Sequence, residues 1–156
     1  MPHKYIVFVV FLISFAFDRV AKFFADANLL AGEVFTSPGG VFSVTKVYNT
    51  GAAFGILQGQ TAFLLVFSAL VLLTLGIYVF RWGKKLGAAQ KVSFGLILGG
   101  IAGNLFDRIF FGHVVDFIKL GFVDFPVFNL ADIFINLGVA LLLSTLFFCK
   151  PASLIK

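Results

Sequence analysis

The sequence predicts an all-α integral membrane protein: four transmembrane helices, with a small strand-bearing segment on the outer side between the first and second. Three observations predict it. Of 156 residues, 60% are hydrophobic and 12% charged, against about 25% charged in a soluble domain. Mean hydropathy is +1.06. Four stretches, at about 5–24, 61–80, 92–111 and 130–149, each reach the length of about 20 residues that a helix needs to cross a bilayer. Backbone polar groups in lipid must bond within the segment, so each stretch is expected to be helical. The whole chain, 1–156, is expected to be one membrane-embedded domain.

The first stretch begins with Lys4 and thirteen mostly apolar residues, Tyr5–Phe17, and Ala25-Asp26-Ala27 follows. This resembles a secretory signal with a small-residue cleavage site. Asp18, Arg19 and Lys22 interrupt that pattern, and Phe23-Phe24 are bulky, so a retained helix is expected. Asp18 and Lys22 stand four residues apart and share a helix face. One reading is a structural ion pair with Lys22 snorkelling outward. The other is a prop that holds the outer loops over a site.

The segment 25–60 is expected outside. Within it Ser37–Gly40 (SPGG) reads as a turn, and Val41–Asn49, rich in β-branched and aromatic residues, reads as a strand. Asn49–Gly55 (NTGAAFG) offers little side chain and allows close approach of another group. Positions three apart on a strand face opposite ways, so Ser43 and Lys46 are poorly placed to act as a serine–lysine dyad.

The second stretch carries no charge. Arg81, Lys84, Lys85 and Lys91 follow, with Trp82 as an interfacial anchor. Together with Lys4, Lys150 and Lys156 these basic residues fall on one side without an acid. All seven acids fall toward the other. Basic loops stay in the cytoplasm, so both termini and the 81–91 loop are expected inside, with 25–60 and 112–129 outside. The net charge of +5 is thereby assigned to topology, and nucleic acid is not expected as a partner.

On the third stretch Gly95, Gly99 and Gly103 recur every fourth residue, a spacing that lets another helix come close. Near its outer end Asn104 and Arg108 share a face while Asp107 points elsewhere. An arginine facing the bundle requires a carboxylate, a phosphate or carbonyls: either a nearby Asp, or a substrate backbone or lipid head group. Asp116 follows just past this stretch, and the outer segment 112–129 includes Gly121–Phe128 (GFVDFPVF), expected to rest on the bilayer surface through its phenylalanines. Asp132 opens the fourth stretch, where the helix dipole alone would favour an acid. That reason does not cover Asp116 or Asn129. If the last two helices are antiparallel neighbours, Asp116 and Asp132 stand at one depth as paired carboxylates.

No Cys/His zinc spacing, HExxH, Walker loop or GxGxxG occurs, and His3 and His113 lie far apart, so neither a metal nor a cofactor is expected. Cys149 is the single cysteine and reads as core filler. His113 reads as an ordinary loop residue.

Asp18–Lys22 (DRVAK), Asn49–Phe54 (NTGAAF), Gly99–Arg108 (GGIAGNLFDR), Val114–Phe117 (VVDF) and Phe128–Asp132 (FNLAD) together resemble the bacterial lipoprotein signal peptidases, signal peptidase II, over nearly the whole chain. The resemblance implies an intramembrane aspartic endopeptidase of the bacterial cytoplasmic (inner) membrane. Its substrates would be diacylglyceryl-prolipoproteins, cut just before the lipid-bearing cysteine. By that match Asp116 and Asp132 are catalytic. Asn49, Asn104, Arg108 and Asn129 line the substrate site, and Asp18, Lys22 and Asp107 support it. The family needs no metal and is blocked by the cyclic peptide globomycin. Membrane lipids are the surrounding partners and a monomer is expected. Arg19 departs from the family pattern at a position that is often uncharged, and the loop between the two aspartates looks shorter than in some members. Two rival classes are a small ion- or proton-coupled transporter, which intramembrane acids also mark, and a scaffold, which leaves Asp116, Asp132 and Arg108 without a use.

Overall fold

The computed structural model describes residues 4–30, 32–52 and 56–148. Four helices form where the apolar stretches lie: α1 (Lys4–Asn28), α2 (Thr61–Trp82), α3 (Ala88–Phe111) and α4 (Leu130–Phe148). By length and apolar character α2 and α3 are each able to cross a membrane; α4 carries a shorter apolar run, Leu130–Thr145. Helix α1 continues without a break through Ala25-Asp26-Ala27.

Helix α3 is the hub and packs against the other three. Its glycines explain how. A methyl group at Gly95 would lie 2.6 Å from Val10 Cβ, and one at Gly99 would run into Ser14. At Gly103 it would collide with the Asp18 carboxylate, and at Gly100 with the Ala131 carbonyl of α4. The 95/99/103 face therefore seats α1, and Gly100 admits α4, as small residues do where helix backbones approach. Helix α2 buries little of itself and meets the bundle through α3.

The part outside the helices is larger than expected. Strands β1 (Val34–Thr36), β2 (Phe42–Asn49) and β3 (Val114–Leu120) form an antiparallel sheet in that order. Strand β2 matches the expected strand Val41–Asn49 to within one residue, and β1 and β3 add to it. Strand β3 precedes the Gly121–Phe128 stretch expected to rest on the bilayer surface. Val114-Val115-Asp116-Phe117-Ile118 carries the β-branched and aromatic residues that suit a pleated surface. Gly112 ends α3 at φ 75°, a left-handed turn that residues with a Cβ rarely adopt. The chain turns there directly into β3.

Past β3 the chain folds back on itself. Phe117 and Ile118 donate to the Phe128 carbonyl at 3.0 and 2.8 Å, and Phe128 donates to Ile118 O at 2.9 Å. This clamp places Asn129, the next residue, beside Asp116.

Candidate active site

Three buried charges and the half-buried Arg19 sit between α1 and α3. Lys22 Nζ lies 3.0 Å from Asp18 Oδ2 and 2.9 Å from Asp107 Oδ2. Arg19 pairs with the other oxygen of Asp107 and lies over the Phe106 ring, 4.8 Å from its centroid. The expected Asp18–Lys22 pair is present, but Lys22 does not snorkel: 1% of its side chain is exposed. Two carboxylates and an amide oxygen hold the ammonium inside, and a buried charge persists where such partners compensate lost hydration. Arg19 is the part the sequence reading did not use. It balances the second acid, and the signal was its place beside Asp18 in an apolar helix.

These charges reach outward to the other elements. Asp18 Oδ1 accepts the Ala131 N–H of α4 at 2.9 Å, one of the orphan donors of a helix start. Asp107 Oδ2 accepts the Val115 N–H of β3 at 3.4 Å. One cluster thus anchors both elements that carry the acids expected to pair.

Asn129 precedes α4 and exchanges hydrogen bonds with Asp132. The Asp132 N–H donates to Asn129 Oδ1 at 3.1 Å, and the Asn129 N–H donates to Asp132 Oδ2 at 3.2 Å. This is the reciprocal geometry of a capping box, with Asn and Asp in its two places. It turns the Asn129 amide nitrogen away from the helix. That nitrogen donates to Asp116 Oδ1 at 2.6 Å and to Asn104 Oδ1 at 3.1 Å. Asn104 Nδ2 donates to Asp132 Oδ1 at 2.8 Å, and Asn49 Nδ2 donates to Asp116 Oδ2 at 2.8 Å. Each carboxylate therefore receives two N–H donors, and Asn129 bonds both residues.

Asp116 and Asp132 line one cavity of about 310 Å³, with Asn49, Phe128 and Asn136 among its walls. Asp116 is 3% exposed. Burial pushes its carboxyl from 3.8 up to about 7; the Asn49 and Asn129 donors pull the other way, while neighbouring Asp132 adds to the rise. A carboxyl that titrates near neutrality beside a second carboxylate is a proton donor and acceptor in one group.

Arg108 has carbonyls for partners: Nη2 donates to Gly51 O at 3.1 Å and Nη1 to Asn104 O at 3.3 Å. No ion pair to a carboxylate joins it among the described residues, so the reading of Arg108 as the partner of a nearby Asp is not what forms. Gly51 is itself held by Asn49 Oδ1 at 2.9 Å. Ser43 and Lys46 stand apart, as strand geometry requires: Ser43 Oγ bonds Thr36 Oγ1, and Lys46 bonds Asp26. His113 packs against the Tyr48 ring, centroids 4.4 Å apart, outside the cavity of the two acids. Cys149 and residues 53–55 lie outside the described residues.

The family model for signal peptidase (SPase) II matches residues 10–148. A lipoprotein signal peptidase of Gloeobacter violaceus is 45% identical over 132 residues, covering 85% of this chain and 76% of the relative. Another from Caldicellulosiruptor bescii is 42% identical over 144 residues, covering 88% and 87%. A solved structure described as a bacterial membrane enzyme superposes with TM-score 0.83 at 30% identity, covering 96% of this chain and 94% of that one. With a family model spanning nearly all the described residues and relatives this similar, the chain belongs to the signal peptidase II family.

Proposed function

We propose that this chain is an intramembrane aspartic endopeptidase that removes signal peptides from diacylglyceryl-modified prolipoproteins, with Asp116 and Asp132 as its catalytic pair. The observation that carries the reading is Asn129, whose amide and backbone N–H groups hold both carboxylates on the wall of one cavity. Two close carboxylates share a proton. Asp116, raised to about 7, carries it below neutrality and donates a hydrogen bond to the scissile carbonyl. Asp132 takes a proton from water, which attacks; the carboxyl groups then return a proton to the leaving nitrogen. The pH dependence belongs to the pair.

Asn49, Asn104, Asn129 and Arg108 line the substrate path in this reading. Arg108 directs its remaining donors at peptide carbonyls, and Asn49 and Asn129 fix the acid that meets them. All four helices cross the bacterial cytoplasmic membrane, both termini lie in the cytoplasm, and the sheet lies outside. The distribution of basic residues supports that sidedness. Each buried CH₂ of a lipid anchor contributes about 0.8 kcal/mol, so two acyl chains hold the substrate cysteine at the depth of the carboxylates. The relatives reported above are peptidases, and no described feature favours a transporter.

The test is a lipoprotein followed on a gel in a host depleted of its own lipoprotein signal peptidase. Expression of this chain should convert the lipidated precursor to the mature form. Precursor that persists while the chain accumulates in the membrane would refute the reading.

A further inference from the structure

A second cavity, of about 490 Å³, opens between α1 and α3 at the end nearer the sheet. It shares no residue with the cavity of Asp116 and Asp132. The sheet divides the two. Tyr48 and Val115 are cross-strand partners and line the α1 side, while the next residues, Asn49 and Asp116, line the cavity of the acids. Adjacent strand residues face opposite ways. Phe15, Phe106 and Phe111 form the apolar wall, with Phe106 6.0 Å from Phe15 and 6.2 Å from Phe111 between ring centroids. Arg19 lies one turn of α1 beyond Phe15, and Asp26 lies two turns beyond Arg19, about 10 Å nearer the sheet. Each has bonding capacity left over. Arg19 pairs with Asp107 through Nη1, and the Phe106 ring supports its guanidinium. Its Nη2 makes no hydrogen bond among the described residues. Asp26 accepts from Tyr48 and Lys46 on Oδ1. Its Oδ2 accepts from none of the described residues, and 49% of the side chain is exposed. Lys22 also touches this wall but is held by Asp18, Asp107 and Asn104 behind it.

We infer that this cavity binds a phospholipid of the outer leaflet whose head group ends in a primary ammonium. The inference goes beyond the peptidase reading and rests only on its placement of the sheet at the outer face. A lipid there has its acyl chains deepest, then its phosphate, then its ammonium. Helix α1 presents the complementary order: the Phe15 ring, the Arg19 guanidinium, then the Asp26 carboxylate. Arg19 Nη2 donates to a phosphate oxygen, an acceptor that suits a guanidinium plane. The ammonium brings three N–H donors and gives one to Asp26 Oδ2. A quaternary ammonium has none to give, and a glycerol head group lacks the positive charge. The first acyl methylenes lie on Phe15, Phe106 and Phe111. Net charge selects the same ligand. Asp18 and Asp107 balance Lys22 and Arg19, and Lys46 balances Asp26. A head group of zero net charge keeps that balance, whereas a bare anion would add a half-buried charge without a partner.

The test titrates full-length protein in detergent, without substrate, with phosphatidylethanolamine, phosphatidylcholine and phosphatidylglycerol of identical acyl chains. Native mass spectrometry counts the bound lipid. Phosphatidylethanolamine should bind about fivefold or more tighter than the other two, because only its ammonium donates to a carboxylate. Asp26→Asn keeps an oxygen for Tyr48 and Lys46 and replaces the free oxygen with a donor. This variant should lose the preference and melt close to wild type, since Asp26 is exposed near a helix end. Folded Arg19→Gln should bind all three lipids more weakly, because all three carry the phosphate. Equal binding of the three lipids by wild type, or a preference that survives in Asp26→Asn, would overturn the site. So would unchanged binding in folded Arg19→Gln. Substrate is absent throughout, so a chain without peptidase activity would still show the preference, and its loss would leave the pairing of Asp116 with Asp132 untouched.

Discussion

Asn49, the last residue of β2, donates its amide hydrogen to Asp116 Oδ2 of β3 at 2.8 Å, on a diagonal across the sheet in which Asp116 itself pairs with Val47. The bond favours the ionised carboxylate and so opposes the rise that burial imposes on Asp116. Asn49→Ala removes this opposition, and Asp116 keeps its proton to higher pH. The basic limb of the pH–rate profile should move up, and kcat should fall about tenfold from looser placement. A profile measured from pH 5 to 9 on a lipidated precursor checks both.

Asp116 also writes its state into stability. Its folded value, about 7, lies above the unfolded 3.8, so the folded protein binds the extra proton between those values. Stability from this group is therefore full at low pH and lost as pH rises toward 7. Asp116→Asn lacks the loss. Relative to wild type the variant should gain about 2–3 kcal/mol between pH 5 and pH 8. Melting curves of both proteins in detergent read the trend, and parallel pH dependence would contradict it.

Gly103 makes room for a charge rather than for an apolar neighbour. A methyl group there would meet the Asp18 carboxylate, with its Cγ at 3.0 Å. Gly103→Ala should cost about 1–3 kcal/mol, the usual range for overpacking, and should lower activity because Asp18 also holds the Ala131 N–H. At Gly76 a methyl group meets nothing within 4 Å, and Gly76→Ala should melt no lower than wild type.

Ser43 bonds Thr36 and faces away from Lys46, whose partners are on Asp26. Ser43→Ala should leave kcat/KM unchanged. Loss of turnover in a variant with normal melting would revive a serine mechanism.

Helix positions were legible because the apolar stretches are long and glycine spacing names the packed face. The Asp18–Lys22 pair followed from the i, i+4 rule. What the sequence hid was long-range. Strand β3 is hard to read because Val114–Leu120 carries two charges, Asp116 and Lys119, in seven residues without strict alternation. The placement of Asn129 against Asp116 depends on the Phe128–Ile118 clamp, a tertiary contact with no local signature. Lys22 was misread because its three partners come from α1 and α3 together; the rule for long basic chains near helix ends points them to water. Asn129 and Asp132, three residues apart at a helix start, carried a readable capping signal that their catalytic interest overshadowed.

The most direct measurement is mass spectrometry of a diacylglyceryl prolipoprotein after incubation with purified wild type, Asp116→Asn and Asp132→Asn. Wild type should release the signal peptide with a new N-terminus at the lipid-bearing cysteine, while each variant, folded and membrane-inserted, leaves the precursor intact. Cleavage at that bond by either variant at a rate near wild type would contradict the account.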